Sequence, residues 1–247
     1  MRAVKRPVLD AAEQADLDRR QVRALEKLGS GQLDAKADWK AARQSKTLKS
    51  ILKTLQRMMG DTQRCMYCLD SHGADIDHFW PKTPYPERMF RWHNLLLCCT
   101  ECGRLKGDKF PFHQGEPSLI DPTGRDPWLD LDFDPRTGNI VARFDVGRNT
   151  YAERGCATVA VLQLDRREAL AAVYRRTFKK LSATVRAALE DSTVTAEDLL
   201  RALTEEDIHG LLGWCIEGNG ENEAPFSELR DQRPELWMEL IRLNQGS

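Results

Sequence analysis

The chain has 247 residues, of which 41% are hydrophobic and 30% charged, with a formal net charge of −1. This composition is sufficient to bury one large core or two small ones, which excludes a disordered chain. No run of about 18 apolar residues occurs and the N-terminus lacks an apolar secretory stretch, so we expect a soluble, cytoplasmic protein with no membrane contact.

The charge is distributed unevenly along the chain. Residues 1–64 carry 15 Lys and Arg against 8 Asp and Glu, whereas residues 191–247 carry 4 against 13. A basic front suits nucleic acid, and an acidic tail is a candidate docking surface for a protein partner.

Two helices are predicted ahead of the first cysteine. Hydrophobic spacing predicts one from Asp10 to Leu28 and a second from Asp34 to about Met59. The second carries basic residues at steps of three and four, which on one straight helix would form a continuous line about 30 Å long. We call these residues the cationic stripe: Lys36, Lys40, Arg43, Lys46, Lys49, Lys53 and Arg57.

The cationic stripe has two interpretations. It could contact phosphates, or it could be an ordinary solvated face. The residues expected to bind nucleic acid in the first case are Lys40, Arg43, Lys46 and Lys53.

Two Cys-x-x-Cys pairs follow, with thirty residues between them. That spacing is typical of a four-thiolate zinc site, with Cys65, Cys68, Cys99 and Cys102 as ligands. The other three cysteines, Cys98, Cys156 and Cys215, are predicted to be buried thiols in a reducing compartment.

Between the pairs lie residues that a purely structural zinc ribbon does not require. Asp75-Ile-Asp77-His78-Phe-Trp-Pro-Lys82 is followed by Trp92-His-Asn94, and Lys106-Gly-Asp108 comes after the last cysteine. Strands are predicted over Ala74–Trp80 and Arg91–Leu97, with a short helix after Cys99. This pattern indicates chemistry as well as structure.

These motifs resemble the ββα-metal fold of HNH endonucleases with a zinc clasp. Three sequence motifs are similar to those of the HNH subunits found with retrons and Septu-type antiphage systems: Asp-His-Phe-x-Pro-Lys, Trp-x-Asn-Leu and Cys-Gly-x-x-Lys-Gly-Asp. The resemblance is dense from Cys65 to Phe112. It departs at Gly103, where such proteins usually carry His or Asn.

The resemblance implies a role for each residue of the motif. His78 would act as general base on a water molecule, and Asp77 would bind a catalytic Mg²⁺ or Mn²⁺, with Asp75 or Asp108 as further candidate ligands. Asn94 would sit on the facing strand and hold the His78 loop. Lys82 and Lys106 would contact phosphate or stabilise charge.

The rest of the chain is predicted to be a hairpin followed by helices. Leu129–Phe133 is expected to pair with Ile140–Phe144, and a long amphipathic helix is expected from Asp165 to about Glu190. Helix starts are predicted at Thr195 and at Thr204–Asp207.

The sequence therefore predicts a mostly helical α+β protein around a small zinc-stapled ββα-metal core. The expected domains are a basic helical arm (1–62), an HNH module (63–115) and a hairpin with a helical domain (116–247). The predicted function is metal-dependent cleavage of DNA, and the resemblance implies an antiphage effector with an ATPase partner. The alternatives are a catalytically impaired, zinc-stapled nucleic-acid-binding module and an interaction adaptor.

Overall fold

The computed structural model describes residues 1–246. It confirms the predicted α+β class: the described residues are mostly helical, and their strands form two-stranded antiparallel sheets. No helix in the described range is long and apolar enough to span a bilayer.

The helices are α1 (Ala11–Gly29), α2 (Ala35–Ala42), α3 (Lys46–Met58), α4 (Thr100–Lys106), α5 (Glu153–Leu162), α6 (Glu168–Glu190), α7 (Ala196–Glu206), α8 (Leu212–Glu217), α9 (Phe226–Gln232) and α10 (Pro234–Gly246). The strands are β1 (Asp75–His78), β2 (Leu95–Cys98), β3 (Phe112–His113), β4 (Glu116–Pro117), β5 (Leu131–Phe133), β6 (Ile140–Ala142), β7 (Phe144–Asp145) and β8 (Thr150–Tyr151). Strands pair in sequence order as four hairpins.

The chain divides into two compact units. One is Ala3–Arg125, and the other runs from Asp126 to the end of the described chain and includes Met1–Arg2. The three domains expected from the sequence, with boundaries at 62/63 and 115/116, stay a prediction.

The predicted helix from Asp34 to Met59 is wrong, because the chain forms two helices there. The helix α2 ends at Ala42, with Arg43 as its C-cap. Ser45 then caps α3 by accepting a hydrogen bond from the Leu48 amide at 3.3 Å. A serine side chain satisfies an amide that a continuing helix would have bonded to a carbonyl. The cationic stripe is therefore divided between two helices.

The hairpin β1–β2 and the helix α4 form the centre of the first unit. His78 pairs with Leu95 and Asp77 with Leu96 across the sheet, and α3 packs against β2. The strand expected from Arg91 is shorter than predicted, since Trp92–Asn94 forms a 3-10 turn before β2 begins. Asn94 thus precedes the facing strand instead of lying on it.

The second unit contains the predicted hairpin in a shorter form. Strand β5 pairs with β6, but Leu129 lies in a 3-10 turn and Phe144 pairs with Tyr151 in the next hairpin. Aromatic rings of Phe133, Phe178 and Trp214 pack together inside this unit.

Three further expectations for this unit are corrected. The long helix α6 begins at Glu168, and the sequence missed α5 before it. Thr204–Asp207 lies at the end of α7, where the Asp207 carboxylate accepts hydrogen bonds from the Leu211 and Leu212 amides. Cys156 is exposed on α5, whereas Cys98 and Cys215 are buried as predicted.

Candidate functional site

The four predicted zinc cysteines lie together in the first unit. Their sulfur atoms are all within 4.8 Å of one another, and all four residues are buried. Cys65 and Cys68 lie in the turn before β1, while Cys99 caps α4 and Cys102 lies in its first turn. The Cys102 amide donates to the Cys99 sulfur at 3.4 Å, a contact that shapes the second knuckle.

The cluster fits a zinc ion in distance. A tetrahedral site with Zn–S bonds of about 2.3 Å separates its sulfurs by about 3.8 Å. The Cys68 and Cys99 sulfurs are 3.9 Å apart.

It also fits in charge. Hydrogen bonds from Cys102, Cys65 and Cys99 lower the pKa of the Cys68 thiol, whereas hydrogen bonding to Cys65, Cys68 and Cys99 raises the pKa of Cys102. Four clustered thiols cannot all ionise without a counter-charge, and a divalent cation would supply the charge that lets all four ionise. These cysteines would hold zinc as a structural ion.

The strand β1 directs its residues to two faces. Asp75 and Asp77 alternate with Ile76 and His78, and the first pair is half-buried while the second is buried. Asp77 contacts Lys106 of α4, whereas the His78 ring contacts Trp39 of α2. Asp77 and His78 are therefore neighbours in sequence, but their side chains contact different helices, α4 and α2.

His78 is held as a neutral imidazole. Its Nε2 lies 3.0 Å from the Met89 carbonyl oxygen, which can only accept, so Nε2 carries the proton and Nδ1 is left as an acceptor. Burial first and the charge of Lys82 second lower the pKa of His78 to about 3. The Trp39 ring meets it edge-on at a centroid distance of 4.2 Å, and only 3% of the residue is exposed.

Asn94 fastens the loop that follows His78. Its side-chain oxygen accepts from the Trp80 amide at 2.7 Å, and its nitrogen donates to the carbonyls of Trp80 and Arg88 at 3.0 and 2.9 Å. The Phe79 amide donates to the Asn94 carbonyl at 2.9 Å. Asn94 therefore ties the end of β1 to the start of β2.

Asp77 uses one of its two carboxylate oxygens. The Tyr67 hydroxyl donates to Oδ2 at 2.7 Å, and the Lys106 ammonium lies 3.1 Å from the same atom. Among the described residues, none bonds to Oδ1. Burial and the nearby Asp77 charge raise the pKa of the Tyr67 phenol well above its ordinary value, so it remains a proton donor.

The other two candidate ligands for a catalytic cation are placed differently. Asp75 accepts from the Ile76 amide at 2.7 Å and pairs with Arg43 at 2.9 Å, and Asp108 is exposed beyond α4. Within residues 1–246, the cysteine cluster is the one group of three or more side chains placed to share a metal ion. A cation at Asp77 would therefore have few protein ligands, a number that Mg²⁺ tolerates because it retains water and binds substrate phosphate.

The predicted basic residues fall into three situations. Lys82 is half-buried and its charge acts on His78, whereas Lys106 is fully buried, with its ammonium 2.6 Å from the His78 carbonyl oxygen. Direct phosphate contact by Lys106 does not fit this position, and we revise its role to support of β1. Lys40, Arg43, Lys46 and Lys53 are all exposed.

Sequence reasoning missed two side chains at this site. Tyr67 lies inside the first Cys-x-x-Cys pair, and Trp39 lies on the buried face of α2. Neither was predicted from the sequence, because the contacts to Asp77 and His78 depend on how separate elements pack.

This chain is similar in sequence to a known Septu protein. No protein-family model matches it. It is 31% identical over 118 residues to the "Septu protein PtuB" of Bacillus thuringiensis, a stretch that covers 46% of this chain and 40% of that protein. The chain thus matches less than half the length of this relative, and the similarity agrees with the Septu part of the resemblance.

Proposed function

We propose that this chain is a metal-dependent endonuclease of the HNH class that hydrolyses DNA phosphodiester bonds. The observation that carries the proposal is the neutral His78 imidazole, which keeps Nδ1 as an acceptor at the end of the strand that also carries Asp77 with its unbonded Oδ1. A nuclease needs a base for water and a negatively charged ligand for a cation at one place. Zinc in the cysteine cluster would be structural.

His78 would accept a proton at Nδ1 from a water molecule aligned with the phosphorus. The water oxygen then forms the new bond to phosphorus as the bond to the leaving oxygen breaks. Asn94 keeps the imidazole in place through its three side-chain hydrogen bonds to the neighbouring backbone. Lys82, close enough to act on the His78 charge, is the candidate contact for a phosphate oxygen.

Asp77 Oδ1 is the atom available to a catalytic Mg²⁺ or Mn²⁺, which when bound supplies positive charge for the oxygens that gain negative charge. Asp75 could join it only after leaving Arg43, and Asp108 only after a movement of the exposed chain beyond α4. This arrangement favours weak metal binding until the substrate phosphate completes the site.

The biological setting that we propose is an antiphage defence system with an ATPase partner subunit. The similarity to the Septu protein supports this setting. The acidic segment 191–247 is the candidate docking surface, since its negative charge would attract a partner with a basic surface. Co-purification of an ATPase with tagged protein from its native cells would test the partnership.

A second candidate function is a zinc-stapled nucleic-acid-binding module without cleavage. The observation that favours it is the burial of His78, of which only 3% is exposed beneath Trp39. Such a protein would bind DNA and zinc but leave phosphodiesters intact.

Plasmid cleavage with Mg²⁺ or Mn²⁺, with and without EDTA, separates the two. His78→Ala should keep zinc and DNA binding while cleavage falls by roughly 10² or more, the scale of a missing general base. His78→Gln, which fills more of the buried space, checks that poorer packing is not the cause. His93→Ala is the matched control, because His93 is exposed and has no role in the proposal. DNA binding by wild-type protein without cleavage would favour the binding module, and cleavage unchanged in His78→Ala would place the base elsewhere.

A further inference from the structure

Two buried donors converge on one oxygen of Asp77. Tyr67 is 2% exposed and Lys106 is 0% exposed, and both reach Oδ2. A buried ammonium is costly unless an anion and acceptors satisfy it, and Lys106 finds these in Asp77 and the His78 carbonyl. The orientation of the Asp77 carboxylate is therefore fixed from the interior of the protein.

Each donor belongs to a different half of the cysteine cluster. Tyr67 lies between Cys65 and Cys68 in the first knuckle, and Lys106 lies four residues after Cys102, about one turn further along α4. The first knuckle and α4, the two elements that would hold zinc, thus each provide one side chain that contacts Asp77.

We propose that Tyr67 and Lys106 are positioning residues that present Asp77 Oδ1 to the catalytic cation, and that the zinc cluster sets their geometry. This inference rests on the proposed function. By engaging Oδ2, the two donors leave a single oxygen for the cation and fix its direction. Outer partners of metal-binding carboxylates orient the ligand in this way, and their removal usually weakens metal affinity or activity 10- to 100-fold.

Tyr67→Phe is the sharpest test, since it removes one hydroxyl and no charge. Mn²⁺ binding to the full-length protein is measured by water-proton relaxation, without cleavage, alone and with a non-hydrolysable oligonucleotide. We expect Tyr67→Phe to bind Mn²⁺ roughly 10-fold more weakly or worse while it retains its full zinc content. Asp77→Asn should remove the Mn²⁺ signal. Tyr151→Phe, an exposed tyrosine in the second unit, should behave as wild type.

The kinetics give a second readout. Tyr67→Phe should lower kcat and leave the KM for DNA unchanged, because the buried Tyr67 side chain offers almost no surface for DNA to contact. A purely structural role would instead lower zinc content and folded protein in proportion to activity.

The outcomes are distinct. Mn²⁺ binding unaffected by Tyr67→Phe, or no Mn²⁺ signal that depends on Asp77 in wild type, overturns the positioning role. If wild-type protein does not cleave DNA but Mn²⁺ binding still depends on Asp77 and Tyr67, the positioning role stands and the nuclease proposal fails.

Discussion

Gly103 lies on α4 one turn before Lys106, the residue that supports Asp77. A side chain placed here would find space, because a Cβ atom would meet only the Cys98 sulfur, at 3.4 Å. The HNH proteins that this chain resembles usually carry His or Asn at this point. Under the proposed function, glycine leaves this position without a ligand for the catalytic cation, and the backbone does not require glycine here, since the residue lies within a regular helix.

Gly103→Asn should lower the Mg²⁺ or Mn²⁺ concentration needed for half-maximal cleavage, because under the proposed function an amide oxygen at this position would add a ligand to the catalytic cation. Wild type should need millimolar metal, and zinc content should not change. A metal titration of cleavage by both proteins, repeated with Asp75→Ala and Asp108→Ala, measures this. If Gly103→Asn has no effect while one of the aspartate variants abolishes cleavage, the site is already complete.

The sequence indicated candidate residues at this site but not their surroundings. Asp77, His78 and Asn94 were identifiable because unusual polar residues recur between the cysteine pairs. The environment of His78 was not, because Trp39 reaches it from a helix almost forty residues earlier in the chain. Lys106 is expected from the sequence to contact phosphate or stabilise charge, and only its contacts from α4 to the His78 carbonyl and the Asp77 carboxylate of β1 show that it is buried.

At the scale of elements, the cysteine knuckles connect the start of β1 to the start of α4. Met66 donates its amide to the Leu97 carbonyl at 3.0 Å, so the first knuckle is also bonded to β2. Leu69, just after Cys68, has a φ of 52°, a left-handed conformation that a leucine adopts at a cost of about 1 kcal/mol. The first knuckle is therefore stabilised by contacts outside it, and bound zinc is expected to contribute most of that stabilisation.

Serine at Cys65, Cys68, Cys99 or Cys102 should release about one zinc per chain and unfold the region around β1, β2 and α4, because a small metal site supplies much of the local folding free energy. Zinc content by atomic absorption and amide hydrogen exchange over residues 63–115 are the measurements. Cys215→Ser is the control, since Cys215 is buried like the four cysteines but belongs to the second unit and lies outside the cluster. Full zinc content in one of the four variants would exclude that cysteine from the ligand set.

Element boundaries show where local sequence signals were insufficient. The helical pattern from Asp34 to Met59 was correct in its hydrophobic spacing but concealed a break, because neither proline nor glycine occurs there. A serine cap is a weaker signal than either residue. The helix α1, by contrast, begins directly after Asp10 and ends at Gly29, close to the predicted bounds.

At the scale of the whole molecule, a net charge of −1 gives no general attraction to nucleic acid. Any affinity for DNA must therefore come from a local basic surface. The first unit contains the candidates Lys40, Lys46 and Lys53, which are exposed on α2 and α3 and have no ion-pair partner among the described residues. Arg43 differs because it already pairs with Asp75, and its replacement would alter two proposed features at once.

Replacing Lys40, Lys46 and Lys53 together with Gln should therefore weaken DNA binding and flatten its salt dependence, by about 0.9 in the log–log slope for each phosphate that is no longer neutralised. Fluorescence anisotropy with a labelled duplex at several salt concentrations measures both quantities. The matched control makes the same charge change on α6, with Arg176, Lys179 and Arg186 replaced by Gln, all exposed in the second unit. Arg43→Gln, tested separately, should change the slope by no more than one phosphate but shift the metal requirement if Asp75 then joins the cation. If the triple variant keeps both affinity and slope while the α6 variant loses them, DNA binds the second unit and the stripe is a solvated face.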